Sequence, residues 1–180
     1  MKSTENFGEK KLAKAFFATG CFWGAERRFW NLDGVVETSV GYMGGNRENP
    51  SYEQVCTGVT NHAEIVCVTF DPTLISYRRL LKEFWEMHDP TSLNRQGGDI
   101  GTQYRSAIFT TSDEQLQEAL ATKVIYQSLL SAEGIGEIVT QIESAEPHIY
   151  WLAEEYHQKY LAKNPNGYDC HSSTGVAFNS

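Results

Sequence analysis

Residues 14–19, KAFFAT, make a near-continuous apolar run of the kind that suits a buried strand. A helix is expected next over 22–30, stopping at the turn cluster Asn31–Leu32–Asp33–Gly34. Residues 35–42 alternate apolar and polar, which predicts a second strand ended by Gly44–Gly45. A loop-rich stretch follows to Gly58, with one helical turn expected around 52–55. Ile65, Val66, Val68 and Phe70 predict a third strand over 64–70, closed by Asp71–Pro72. Tyr77, Leu80, Leu81 and Phe84 recur at helical spacing and predict a helix over 76–87.

Residues 88–104 hold Pro90, Gly97, Gly98 and Gly101 and few apolar positions, so they read as a long ordered loop. Such loops in compact domains are more often functional than not. A short fourth strand is expected over 106–110. Ser112 and Gln115 carry a capping-box signature for a helix with Leu116, Leu120 and Val124 on one face. An edge strand over 138–142 and a last helix over 150–161 complete the pattern, and Asn164–Pro165–Asn166–Gly167 breaks that helix.

The order β-α-β-β-α-β matches the split βαβ plan. The expected fold class is α+β: a single domain with a ferredoxin-like core, a two-layer sandwich of a mainly antiparallel sheet and helices. Additional C-terminal helices and an extended tail follow that core. Residues 1–11 read as a flexible N-terminal segment, 12–163 as the α+β domain and 164–180 as the tail, with no internal repeat or linker.

At 180 residues the chain can bury a sizeable core without disulfides or a metal. Its formal charge is −8 and no basic block is longer than the Lys10–Lys11 pair, which argues against nucleic acid and anionic membrane as partners. No stretch approaches the roughly 20 apolar residues of a membrane span. The start, MKSTENFGEKKLAK, lacks the apolar core of a signal peptide. The expected location is therefore cytoplasmic, an organelle being the alternative if a presequence has been removed. Cysteines in a reducing compartment are more often free, catalytic or metal-bound than paired for structure.

Against that background one cysteine stands out. Cys21 sits between Gly20 and the aromatic pair Phe22–Trp23, where a strand hands over to a helix. Helix amides there would stabilise a thiolate nucleophile, with Gly20 permitting the tight turn. The ordinary alternative is a small hydrophobe in a core. Phe22 and Trp23 either wall a small apolar pocket fit for a methyl or thioether group, or pack under the sheet.

Glu64 opens an otherwise apolar strand. A carboxyl directed into such surroundings keeps its proton near neutrality and can act as a general acid, unless it is simply an exposed strand-end charge. Asp99, Gln103 and Tyr104 could bond a polar oxygen, or the acidic and amide side chains of their loop could tie it to itself. Tyr42 and Tyr52 divide between pocket donors and packing residues. Cys170, beyond the last helix, is suited to reach a distant sulfur and accept it as a disulfide, or is an incidental exposed thiol. Cys67 lies mid-strand and is expected to be buried and inert, while Cys56 borders a glycine-containing loop.

There is no CxxC, no HExxH and no paired ligand spacing, nor a P-loop or a GxGxxG after a strand. No metal or nucleotide cofactor is expected. A cysteine–histidine catalyst could draw on His62, His88, His148, His157 or His171, and nothing in the sequence fixes which.

GCFWGAE at 20–26 resembles the signature of the A-type peptide methionine sulfoxide reductases. The resemblance continues through SYEQVCTGVTNHAE, HDPTSLNRQGGDIGTQYRSAIF and AEEYHQKYL, covering the chain from about 14 to 171. It implies that Cys21 attacks the sulfoxide sulfur and that Phe22 and Trp23 hold the S-methyl group. Glu64 would protonate the sulfoxide oxygen, Tyr52 and Tyr104 would hydrogen-bond it, and Asp99 would organise the site. Asn61 stands where the family pattern commonly has glycine.

The context GYxCH around Cys170 is similar to members with one resolving cysteine. The resemblance thus implies a Cys21 sulfenic acid resolved by Cys170 as a disulfide, with Cys56 and Cys67 outside the cycle. It further implies methionine-S-sulfoxide, free or in proteins, as substrate, a thioredoxin-like dithiol as reductant, and the repair of oxidised proteins; a monomer is expected. Against it stand a peroxidase using the same sulfenic acid, a cysteine hydrolase and a non-catalytic binding module.

Overall fold

The computed structural model describes residues 11–169 and 172–179, so residues 1–10, Cys170, His171 and Ser180 lie outside the described residues. The chain runs β1 (Ala13–Thr19), α1 (Phe22–Trp30), β2 (Val35–Met43), α2 (Tyr52–Cys56), β3 (Ala63–Phe70) and α3 (Tyr77–Met87). A small hairpin follows, β4 (Arg95–Gln96) and β5 (Asp99–Ile100), then β6 (Ser106–Thr110) and α4 (Asp113–Ala132). β7 (Gln141–Ser144), β8 (Trp151–Leu152) and α5 (Tyr160–Lys163) close it.

The main sheet has the order β7-β6-β1-β3-β2-β8. Its four inner strands, β6-β1-β3-β2, are all antiparallel and reproduce the expected split βαβ core. β7 adds in parallel to β6 and β8 antiparallel to β2.

Strand alternation sorts β1 and β3 between two cores. Ala15, Phe17, Val66, Val68 and Phe70 face α1 and α3, where Phe29, Leu81, Phe84 and Trp85 complete the main core. Ala18, Ala63 and Ile65 point the other way, against Met43, Ala107 and Phe109. Even-numbered positions of β3 therefore lie under the helices, and Glu64 is one of them.

Two expectations need correction. The buried face of α4 is not Leu116, Leu120 and Val124 but Gln115, Ala119, Thr122, Tyr126 and Leu130. Leu120 is 46% exposed and Val124 68%. α4 packs on α3 through this face, and the buried Trp85 Nε1 donates to Thr122 Oγ1 at 2.9 Å. A hydroxyl there satisfies a donor that would otherwise be lost in the core.

Residues 150–161 are not a helix either. Trp151 and Leu152 pair with Tyr42 and Gly41 of β2. Gln158 extends the pairing with its side chain, accepting from Val40 N at 2.9 Å and donating to Val40 O at 2.8 Å. Lys159 then takes a left-handed conformation, φ 52°, which starts the short α5 in a new direction. The edge strand expected at 138–142 is present three residues later, and the loop at 88–104 contains the β4–β5 hairpin and a 3₁₀ turn at Thr102–Tyr104. Near the C-terminus, Phe178 is buried against Tyr126 of α4, and its N–H donates to Glu86 Oε2 of α3 at 3.2 Å.

Candidate active site

The turn from β1 into α1 places the cysteine. Gly20 has φ +102°, a conformation open to glycine, and a side chain there would meet Gln96 Cγ at 2.7 Å. Gln96 cannot swing away, because its amide is bonded both to Asp89 N and to Asp89 O. The close approach thus brings the β4–β5 hairpin, with Asp99, beside the first turn of α1. Cys21 is the N-cap of α1 and is 8% exposed.

Glu64 reaches the same turn from below. It is 2% exposed, and its Oε1 accepts from Phe22 N at 3.2 Å. Its Oε2 is buried without a hydrogen-bond partner among the described residues. Burial pushes the carboxyl from the ordinary 4.5 up to about 8, against the pull of the Phe22 amide. The carboxyl is therefore predominantly protonated at neutral pH.

Cys21 does not follow the helix-terminus expectation. Burial, and after it the Glu64 carboxylate, push its thiol well above the ordinary cysteine range. The amides of Trp23 and Gly24 pull in the other direction and are outweighed. The resting pair is a thiol beside a neutral carboxyl. Tyr52 and Tyr104 are raised too, burial being the leading cause, so both remain phenol donors.

Cys21, Phe22, Trp23, Tyr52, Glu64, Asp99, Tyr104 and Tyr168 line one small pocket of about 160 Å³. Seven of these eight are residues that the sequence singles out. Tyr168 is the addition, its hydroxyl donating to Asp99 Oδ1 at 3.1 Å. The other Asp99 oxygen is buried without a hydrogen-bond partner among the described residues. Cys170, two positions beyond Tyr168, lies outside the described residues.

Tyr42 is not part of the pocket. Its hydroxyl donates to Glu154 Oε1 at 3.0 Å, and Glu154 Oε2 accepts from Tyr52 N, so one carboxylate fixes the start of α2 against β2. Gln103 is buried outside the pocket lining. Cys67 lies on the sheet face opposite Glu64, and the exposed Cys56 ends α2; neither lines the pocket.

Trp23 is held from two sides. Its Nε1 donates to His157 Nδ1 at 3.0 Å, and its ring stacks on Tyr160 with centroids 3.8 Å apart. His157, fully buried, also contacts the rings of Phe22 and Tyr52, and burial lowers its basicity so that it stays neutral. Tyr160 is placed by its neighbour Lys159, whose backbone N–H and Nζ donate to the two oxygens of the buried Glu26 at 2.8 and 2.9 Å. Thr38 Oγ1 donates to the same carboxyl at 2.8 Å. The supporting roles of Glu26, Glu154 and His157 escape sequence reasoning because their partners lie far along the chain.

The described histidines leave no base for a cysteine–histidine pair. His157 is engaged by Trp23, His62 by Gly45 N and Arg47 O, His88 by Phe84 O and Ser106 Oγ, and His148 by Glu143. Asn61 adopts φ 55°, the left-handed conformation that a glycine would take there and that asparagine tolerates. The loop into β3 consequently keeps Glu64 in place despite the departure from the family pattern.

The profile of the family described as Peptide methionine sulfoxide reductase matches residues 13–179. The chain belongs to that family. It is 56% identical over 170 residues to Peptide methionine sulfoxide reductase MsrA of Pseudomonas putida, covering 94% of this chain and 76% of that one. Among solved structures it is similar to methionine sulfoxide reductase A of Corynebacterium diphtheriae, at TM-score 0.85 and 46% identity, with 94% and 83% of the two chains covered. It also resembles reduced Mxr1 of Saccharomyces cerevisiae, at TM-score 0.80 and 37% identity over 99% and 98% of the chains. A further Mxr1 structure, in complex with Trx2, matches at TM-score 0.56 and 25% identity over 95% and 96%. Membership makes this chain a methionine sulfoxide reductase of the A type. Among the described residues no helix is long and apolar enough to cross a membrane.

Proposed function

We propose that the pocket reduces methionine-S-sulfoxide, free or within proteins, by the thiol of Cys21, with Glu64 as the acid. The observation that carries this reading is the unpartnered Glu64 Oε2 in the same small pocket as the Cys21 sulfur. A sulfoxide oxygen is a poor leaving group until it is protonated, and a neutral buried carboxyl can supply that proton. Tyr52 and Tyr104 donate to the same oxygen, while Phe22 and Trp23 enclose the S-methyl group.

The proton balance suits a pair that rests uncharged. Glu64 gives its proton to the oxygen as the Cys21 sulfur attacks, and the thiol proton returns to the Glu64 carboxylate. Sulfoxide and thiol thereby become thioether and Cys21 sulfenic acid, with the oxygen transferred and no external proton consumed. The Cys170 thiol then displaces the hydroxyl as water and forms a Cys21–Cys170 disulfide. A thioredoxin-like dithiol reduces that bond by exchange; the likeness to Mxr1, which has been solved in complex with Trx2, supports such a partner. The S epimer rests on the family resemblance.

Pre-reduced protein, freed of reductant and given excess methionine-S-sulfoxide, is expected to yield about one methionine and lose about two thiols per chain. Peptide mapping should place the disulfide at Cys21–Cys170. Methionine at background level, or a yield unchanged in Cys21→Ser, overturns the reading.

A further inference from the structure

The chain just before Cys170 is fastened to the site at two points. Tyr168 donates to Asp99 Oδ1 at the rim of the pocket. Asp169 pairs with Arg27 Nη2, and Arg27 belongs to the helix whose first turn presents Cys21. Beyond Cys170 the chain is tied again: Tyr126 OH of α4 donates to Val176 O at 2.9 Å and lies 3.0 Å from Thr174 Oγ1, ahead of the buried Phe178. The described chain is thus anchored on either side of the second thiol's position, and the Arg27–Asp169 pair ties its near side to α1.

We infer that Arg27 is a positioning residue for disulfide formation: by holding Asp169 against α1 it tethers the chain next to Cys170 and raises the effective concentration of that thiol at Cys21. This rests on the reading of Cys170 as the resolving thiol. Arg27 lines no part of the pocket, so it touches neither the sulfoxide nor the reacting sulfur. Anchoring converts an encounter with a loose chain end into a local one, which multiplies the rate without any new contact to the reacting atoms. The chemistry is self-contained. Cys170 thiol and Cys21 sulfenic acid give a disulfide and water, the oxidising equivalent being that already taken from the sulfoxide.

Both partners are partly exposed, with side-chain exposures of 35% and 26%, so salt screens the pair and its effect is modest. In rapid-quench single turnovers of the full chain, Arg27→Gln is expected to form methionine at the parent rate. Its thiol loss should slow roughly three- to fivefold, and a dimedone-type probe should trap correspondingly more sulfenic acid. Salt at about 1 M should impose the same slowing on the parent and little more on the variant. The exchanged pair, Arg27→Asp with Asp169→Arg, should recover the parent thiol-loss rate.

Thiol loss at the parent rate in Arg27→Gln overturns the proposal. Equal slowing of methionine formation and thiol loss overturns it too, since that pattern reports a disturbed α1. Cys170→Ser separates the premise. If it still loses two thiols per turnover, the resolving role of Cys170 fails and the docking role with it. If it stalls as sulfenic acid while Arg27→Gln is unaffected, only the docking role fails.

Discussion

Replacing Glu64 by glutamine is the sharpest probe of the site, because it removes one titration and little else. The Phe22 N–H that donates to Glu64 Oε1 can donate equally to a glutamine carbonyl, so the local frame is retained. The carboxyl is pushed by burial from 4.5 up to about 8, meaning that the folded chain holds this proton more tightly than the unfolded one. A raised acid contributes its full stability below the unfolded pKa and loses it as pH rises toward the folded value. Each pH unit in that window is worth about 1.4 kcal/mol, so the window amounts to roughly 5 kcal/mol.

The assay is urea unfolding of the parent and Glu64→Gln at about pH 5, 7 and 9. Every other titrating group is common to both chains and cancels in the difference. A glutamine Nε2 in place of the unpartnered oxygen adds an offset that does not vary with pH. The variant should therefore gain on the parent steadily from about pH 5 to pH 8 and then hold a constant lead. A difference that stays flat within about 0.5 kcal/mol across the range would mean that the carboxyl is not held neutral, and the acid role would lose its physical basis. Single-turnover methionine formation by the same variant should fall by ~10²–10⁴. Its Cys21 should also alkylate faster than the parent's above about pH 8, the neighbouring carboxylate being gone.

Gly20→Ala should cost roughly 2–4 kcal/mol by urea unfolding, since strain at φ +102° adds to the collision with a tethered Gln96; a loss below about 0.5 kcal/mol would contradict the turn geometry. Glu26→Gln leaves Lys159 facing an amide in place of a buried carboxyl, and about 3 kcal/mol of stability should go. In the fraction still folded, KM should rise more than kcat falls as Tyr160 loosens beneath Trp23. Trp23→Phe removes the donor to His157, so a KM increase with a stability loss of about 1–3 kcal/mol is expected; unchanged KM would detach the indole from substrate binding. Cys67→Ala should leave the thiols lost per turnover at the parental value, and any decrease would bring that cysteine into the cycle.

What was legible in the sequence divides by the range of the interactions that decide it. α1 falls at Phe22–Trp30 as expected, since a strand, a glycine and a turn cluster bound it locally. The inner sheet was readable for the same reason: β-branched and aromatic runs ended by Asp–Pro or Gly–Gly carry their own limits. The face of α4 was not. Apolarity favoured Leu120 and Val124, whereas the buried face carries Ala119, Tyr126 and Leu130 together with the Thr122 hydroxyl that Trp85 needs. The stretch over 150–161 failed similarly, because its shape is set by β2 and by Glu26, more than a hundred residues upstream. The candidate site was largely visible because its side chains are chemically unusual for their surroundings, and Tyr168 was missed because a tyrosine on a tail is not.

The direction of the Cys21 shift carries the most chemical content of these differences. A helix N-terminus alone argues for a thiolate, and a thiolate beside a carboxylate would be the wrong pair for a sulfoxide. Oxygen transfer needs an acid at the oxygen and a nucleophile at the sulfur together. Burial of both groups in one small pocket makes each reluctant to ionise, and a Glu64 carboxylate would make the Cys21 thiol more so. On the proposed mechanism the pair would hold two protons until a bound sulfoxide oxygen accepts one. Nucleophilicity would then appear only when there is a leaving group to use it, and a thiol kept protonated is in general less readily oxidised than a thiolate.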